Sequence, residues 1–143
     1  MRTPSPTTDS PAAMAQVLAM VMATSPGLDA REVDMLERLD AFRRIGLSEN
    51  TFLRIARDCQ RGACQGLARH QSLYPDDLEA IDEILDRVHD AGLRLLVCRL
   101  AGCMVTADGR VSEVERQVYD RMLARWGYTR ASLTRAILTE RVH

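Results

Sequence analysis

An all-α fold follows from three observations on this 143-residue chain. Apolar residues make up 46% of it but aromatic residues only 4%, so the interior must be built from Leu, Val, Ile, Met and Ala. That mixture favours helix over sheet. Apolar residues also recur at helical spacing, most regularly at Leu93, Leu96/Val97, Leu100 and Met104, and no period-two run is long enough for a strand. Finally, a glycine corner followed by a helix-capping residue occurs in both halves of the chain, which indicates an internal duplication. The expected architecture is a compact bundle of about seven helices in two pseudo-symmetric halves, one domain over residues 10–143.

The elements follow in order. Residues 1–9, with Pro4, Pro6, Thr7 and Thr8, read as a disordered tail. Ser10-Pro11 sets a capping hydroxyl before a proline at the first helical position and opens a helix to about Thr24. Pro26-Gly27 ends it. Asp29 caps a second helix that carries Leu36, Leu39 and Phe42 and stops at Gly46. Ser48 opens a third through Phe52 and Ile55 to beyond Cys59. After Tyr74-Pro75 a fourth carries Leu78, Ile81, Leu85 and Val88, and bridges the halves. Asp90 begins the fifth, Asp108-Gly109 breaks the chain, and Ser112 to Arg125 forms the sixth with Val118, Tyr119, Met122 and Trp126 inward. Thr129 to about Arg141 is the seventh. Ile45-Gly46-Leu47-Ser48 in the first half answers Trp126-Gly127-Tyr128-Thr129 in the second.

Several functions are excluded by composition. All 19 basic residues are Arg, so a Schiff-base lysine or a phosphate-loop lysine is impossible. The net charge of −1 gives no overall pull toward nucleic acid or an anionic membrane. Cys59/Cys64 and Cys98/Cys103 are each five residues apart, about 140° around a helix, so neither pair converges on one ligand point. With no CxxC and no zinc spacing among His70, His89 and His143, the cysteines read as buried reduced thiols, and the location as a reducing cytoplasm. Arg2 and the apolar stretch Ala12 to Ala23 imitate a signal peptide, but Asp9 and the nearby prolines make a poor n-region. No apolar run reaches the length of a membrane span.

Ala-Asp108-Gly109-Arg-Val111-Ser112-x-x-Glu115 lies between an apolar helix and an amphipathic one ending Trp126-Gly127. This arrangement resembles the signature of the tellurite-resistance TerB-like domain family, a domain type also found at the N-terminus of some membrane-anchored J-domain co-chaperones. The resemblance covers about residues 10–141 and implies an all-helical bundle of two related halves. It also implies a divalent cation at acidic turn residues. By position these are Asp108 and Glu115 in the second half and Asp29 and Glu32 in the first. The halves differ at the turn itself, where Asp108-Gly109 is matched by Pro26-Gly27.

The residues alone allow two readings of that turn. Aligned as a calcium loop, Asp108 to Glu115 fits the back half only; Met104 and Thr106 would occupy positions one and three, so an ordinary EF-hand is excluded. Ser112-x-x-Glu115 is equally a capping box, and Asp29-x-x-Glu32 its near equivalent. Glu115 falls at the edge of the apolar face of its helix, where a carboxylate needs a partner.

Charge elsewhere is concentrated. Asp76, Asp77, Glu79, Asp82, Glu83, Asp86 and Asp90 are opposed locally by Arg87 alone. Within this set Glu79, Asp82, Glu83, Asp86 and Asp90 form a stripe that reads as a solvated face, a docking surface for a basic protein partner, or a loose cation site. Arg110, Arg116, Arg121, Arg125, Arg130, Arg135 and Arg141 balance it, through contacts to the acidic helix within the chain or between protomers of a homodimer. No nucleophile has an evident His partner and no glycine-rich phosphate loop occurs. The expected function is therefore non-enzymatic: a TerB-like module of a cytoplasmic stress response, acting through protein contacts, in a membrane-associated complex or otherwise, with divalent-cation binding. The alternatives are a helix-turn-helix DNA-binding regulator, with nucleic acid the weaker reading, and a small-molecule or lipid-binding bundle.

Overall fold

The computed structural model describes residues 9–23, 30–61, 74–105, 113–129 and 131–133, and among them every regular element is a helix. The helices are α1 (Pro11–Met22), α2 (Ala30–Arg38), α3 (Ala41–Ile45), α4 (Glu49–Arg61), α5 (Pro75–Leu85), α6 (Ala91–Val105) and α7 (Glu113–Arg125). Residues 131–133 are helical as well.

The most apolar helix occupies the centre. Ser10 caps α1 as expected, its Oγ accepting the Ala13 N–H at 3.0 Å. From Ala13 to Ala23 every side chain but Gln16 is buried, which is the environment an all-round apolar helix requires. α4 and α6 pack against it most extensively, and α3, α5 and α7 complete the enclosure.

The expected second helix is two helices. In a continuous helix Ala41 and Ile45 would point about 140° and 180° away from Leu36. Asp40 instead adopts a left-handed backbone, φ 58°, between α2 and α3. The turn it makes brings Leu36, Ala41 and Ile45 into one core. Aspartate tolerates this conformation better than most residues, and Arg43 Nε holds its carboxylate at 2.9 Å.

The two glycine corners match in detail. Gly46 has φ 93°, and its N–H and that of Leu47 both donate to Phe42 O at 2.9 Å. Gly127 has φ 81°, and Tyr128 N–H donates to Leu123 O at 2.8 Å. Each corner is a left-handed helix end with a bond reaching five residues back. Each then meets a hydroxyl cap: Ser48 Oγ accepts the Thr51 N–H at 3.2 Å, and Thr129 Oγ1 accepts that of Ser132 at 3.0 Å. Before the corners the halves differ, since α2 and α3 are separated at Asp40 whereas α7 is unbroken.

α5 starts with Tyr74 N–H donating to Asp77 Oδ2 at 2.8 Å, and α6 with Asp90 Oδ2 accepting the Leu93 N–H at 3.0 Å. α6 presents Val97, Cys98, Leu100, Ala101 and Met104 to the core, and Gly102 lets Tyr119 of α7 approach closely.

Two further expectations need correction. Asp9 belongs to the folded unit rather than the tail. Its N–H donates to Arg87 O at 2.8 Å, and its Oδ1 accepts the His89 and Asp90 N–H groups at 2.6 and 3.0 Å. The reduced state expected of every cysteine holds for Cys98 and Cys103 but not for Cys59, which is disulfide-bonded. Among the described residues no helix is long and apolar enough to cross a membrane.

Candidate functional site

The acidic stripe of α5 divides into two sides. Asp82 and Asp86 lie one turn apart, as do Arg121 and Arg125 on α7, so the two helices present matched charges wherever they pack. Arg121 donates from Nε to Asp82 Oδ1 at 2.9 Å and from Nη2 to Oδ2 at 2.6 Å. Arg125 makes the same fork to Asp86 at 2.9 and 2.7 Å, with Nη1 also 3.7 Å from Asp82 Oδ2. The Arg121 hydrogen bonds hold the Asp82 carboxyl below its ordinary value, and those of Arg125 do the same for Asp86. The Asp82 side chain is only 18% exposed. These two carboxylates close the α5–α7 interface, the intrachain pairing that the opposed charges allowed.

The other members of the stripe sit elsewhere. Asp90 caps α6. Glu83 is exposed, with its carboxylate 3.7 Å from Arg87 Nη2. Glu79 is exposed on the outer side of α5. Of the five residues expected to form a docking surface, Glu79, Asp82, Glu83, Asp86 and Asp90, two are therefore engaged by α7 within the chain and one caps α6.

Where α5 turns into α6, polar groups knit three helices together. Trp126 Nε1–H donates to Leu85 O at 3.2 Å. Arg94 Nε donates to Val88 O at 2.7 Å, and its guanidinium lies 5.6 Å from the Trp126 ring centroid, a cation–π distance. Asp9 holds the same loop from the start of α1, and the N–H bonds from Asp90 and His89 lower its carboxyl pKa. Neither contact was read from the sequence: Asp9 bonds backbone groups some eighty residues away, and the place of Arg94 depends on how α6 packs beside Trp126.

Glu115 is where the helical pattern put it, in the first turn of α7 and 4% exposed between buried Val114 and Val118. Asp108 and Asp29 lie outside the described residues, as does the side chain of Glu32. Among the described residues no group of three or more His, Cys, Asp or Glu side chains could hold a metal ion. Glu115 is accordingly the one expected cation ligand that the structure locates.

The remaining reactive groups are placed structurally. Burial pushes the Cys98 thiol up to about 12, so it stays protonated and unreactive at neutral pH. His89 Nε2 lies 2.6 Å from the Asp86 carbonyl oxygen at the end of α5. His70 and His143 lie outside the described residues. A concavity of about 280 Å³ is bounded by Gln16 of α1, Ile55 and Asp58 of α4, and Ala80 and Ile84 of α5. It falls just below the range of about 300–1,000 Å³ typical of ligand pockets.

Comparison of this chain with protein-family models, with curated proteins and with solved structures finds no match.

Proposed function

We propose that this chain is a non-enzymatic, TerB-like helical module that acts by protein contact in a stress response of the tellurite-resistance type. One observation carries the contact reading: the placement of charge. Inward-facing charged groups close the fold, as Asp82 and Asp86 do with Arg121 and Arg125. Charge on the outer faces of α4 and α5 is left for a partner. The divalent cation, with Asp108 and Glu115 as ligands, comes from the TerB-like resemblance, and Glu115 stands buried in the first turn of α7. The cytoplasmic setting rests on the same resemblance.

The DNA-binding alternative draws on α7, and its described arginines are engaged. Arg121 and Arg125 hold α5, and Arg116 pairs with Glu113 and Asp120. Arg110, Arg130, Arg135 and Arg141 lie outside the described residues. Protein contact is therefore the better reading.

Growth on tellurite, with and without the gene in its own host, tests the stress assignment, and equal growth overturns it. Calorimetric titration of the purified protein with Ca²⁺, Mg²⁺, Mn²⁺ and Zn²⁺ tests the cation. Heat and a thermal shift that disappear in Glu115→Gln support it; their absence in the wild type removes it.

A further inference from the structure

Two stripes of opposite sign, neutralised among the described residues only at Glu83, share one spacing. On α4, Arg54, Arg57 and Arg61 are exposed and fall at i, i+3 and i+7. At 100° per residue they occupy an arc of about 60°, directly opposite buried Phe52 and Ala56. No ion pair joins them to another described residue, although this chain pairs Arg38, Arg43, Arg87, Arg116, Arg121 and Arg125 with carboxylates. On α5, Asp76, Glu79 and Glu83 are exposed at the same i, i+3 and i+7 spacing, opposite buried Ile81 and Leu85. Among the described residues Asp76 and Glu79 have no salt bridge, and Glu83 has only the long contact to Arg87.

Both helices pack on α1 and flank the concavity lined by Ile55 of α4 and Ile84 of α5, so the stripes bound one face of the molecule. We propose that this face pairs two copies of the chain, the arginine stripe of each against the acidic stripe of the other. A two-fold axis along the groove between α4 and α5 satisfies both stripes at once, which makes the contact isologous and closed. Each stripe spans seven residues, about 10 Å along its helix, so three charges meet three in register. The complementarity favours a second copy over an anionic lipid surface or a nucleic acid, either of which would be repelled by the acids of α5. Exposed ion pairs are individually weak, so the dimer is salt-sensitive. This inference goes beyond the proposed function and does not rest on the stress it serves.

Sedimentation equilibrium of the purified chain tests it, on Arg54→Glu/Arg57→Glu and Asp76→Arg/Glu79→Arg variants. The wild type dimerises at about 50 mM salt, and its dissociation constant rises at least about tenfold at about 500 mM. Each variant alone is monomeric, because two of the three charges in its altered stripe now face charges of their own sign. An equimolar mixture of the two variants restores the dimer. Circular dichroism confirms that the variants are folded, and Glu79→Arg replaces the double variant if that one melts early. A wild type that stays monomeric at low salt, variants that dimerise as it does, or a mixture that stays monomeric overturns the inference. Retention of a monomeric wild type on anionic vesicles overturns it too and assigns the arginines to lipid. The tellurite assay compares the wild-type gene with its absence and sedimentation reads self-association of the purified chain, so the two failures are distinguishable.

Discussion

Removing the Asp82 carboxylate tests the α5–α7 interface at its strongest point. Asp82 accepts both ends of the Arg121 fork at 2.9 and 2.6 Å, and its side chain is 18% exposed against 38% for Arg121. Exposed pairs contribute about 0–1 kcal/mol, whereas hydrogen bonds to charged groups contribute about 1.5–3. A pair open to solvent at the guanidinium end falls between these, so a double-mutant cycle of Asp82→Ala and Arg121→Ala should give a coupling of about 1–2 kcal/mol. The pH dependence has a definite sign. The folded-state pKa of Asp82 is lowered, chiefly by Arg121, so the pair stabilises fully above the ordinary carboxylate range and loses this as pH falls through the folded value. Urea unfolding followed by circular dichroism, at neutral pH and again in acid, reads both. A coupling below about 0.3 kcal/mol at neutral pH, or a wild-type advantage over Asp82→Asn that persists undiminished in acid, would refute the reasoning.

Other perturbations follow from the same contacts. Trp126→Phe removes the N–H donated to Leu85 O and weakens the Arg94 contact, and should cost about 1–3 kcal/mol in thermal unfolding; an unchanged melting temperature contradicts this. Asp9→Ala should lower the melting temperature at neutral pH, and the difference should vanish in acid, because the lowered Asp9 pKa places its contribution above the ordinary carboxylate range. A variant that melts with the wild type would make Asp9 part of an inert tail. Gly102→Ala sets a Cβ 2.9 Å from Tyr119 Oη, and overpacking of this kind costs about 1–3 kcal/mol, offset by up to about 1 from helix propensity. Adding Tyr119→Phe should recover most of the net loss, and a double variant no more stable than Gly102→Ala would show that the hydroxyl is not the obstacle.

What the sequence made legible was local chemistry. Ser10, Ser48, Thr129 and Asp90 announce their helices because a side-chain oxygen before an apolar run has one efficient use, the free N–H groups of a first turn. Gly46 and Gly127 mark corners because only a left-handed residue closes them without strain. Burial of Glu115 was readable from its phase with Val118 and Met122. The break at Asp40 was also encoded, since Ala41 and Ile45 are out of phase with Leu36, but apolar residues at Leu39 and Phe42 concealed it. The Asp9 bonds to His89 and Asp90 span some eighty residues and use backbone donors, so no sequence pattern reports them. The division of the acidic stripe depended on which side of α5 meets α7, a packing choice rather than a periodicity.

Glu79 and Asp82 stand three residues apart on α5, one facing outward and the other closing on α7. Sedimentation equilibrium of Glu79→Arg beside the wild type, at low salt and at a temperature where both are folded, addresses the claim that outward charge serves contact. The account predicts a variant that melts with the wild type and has lost its self-association. A variant that associates as the wild type does would contradict it.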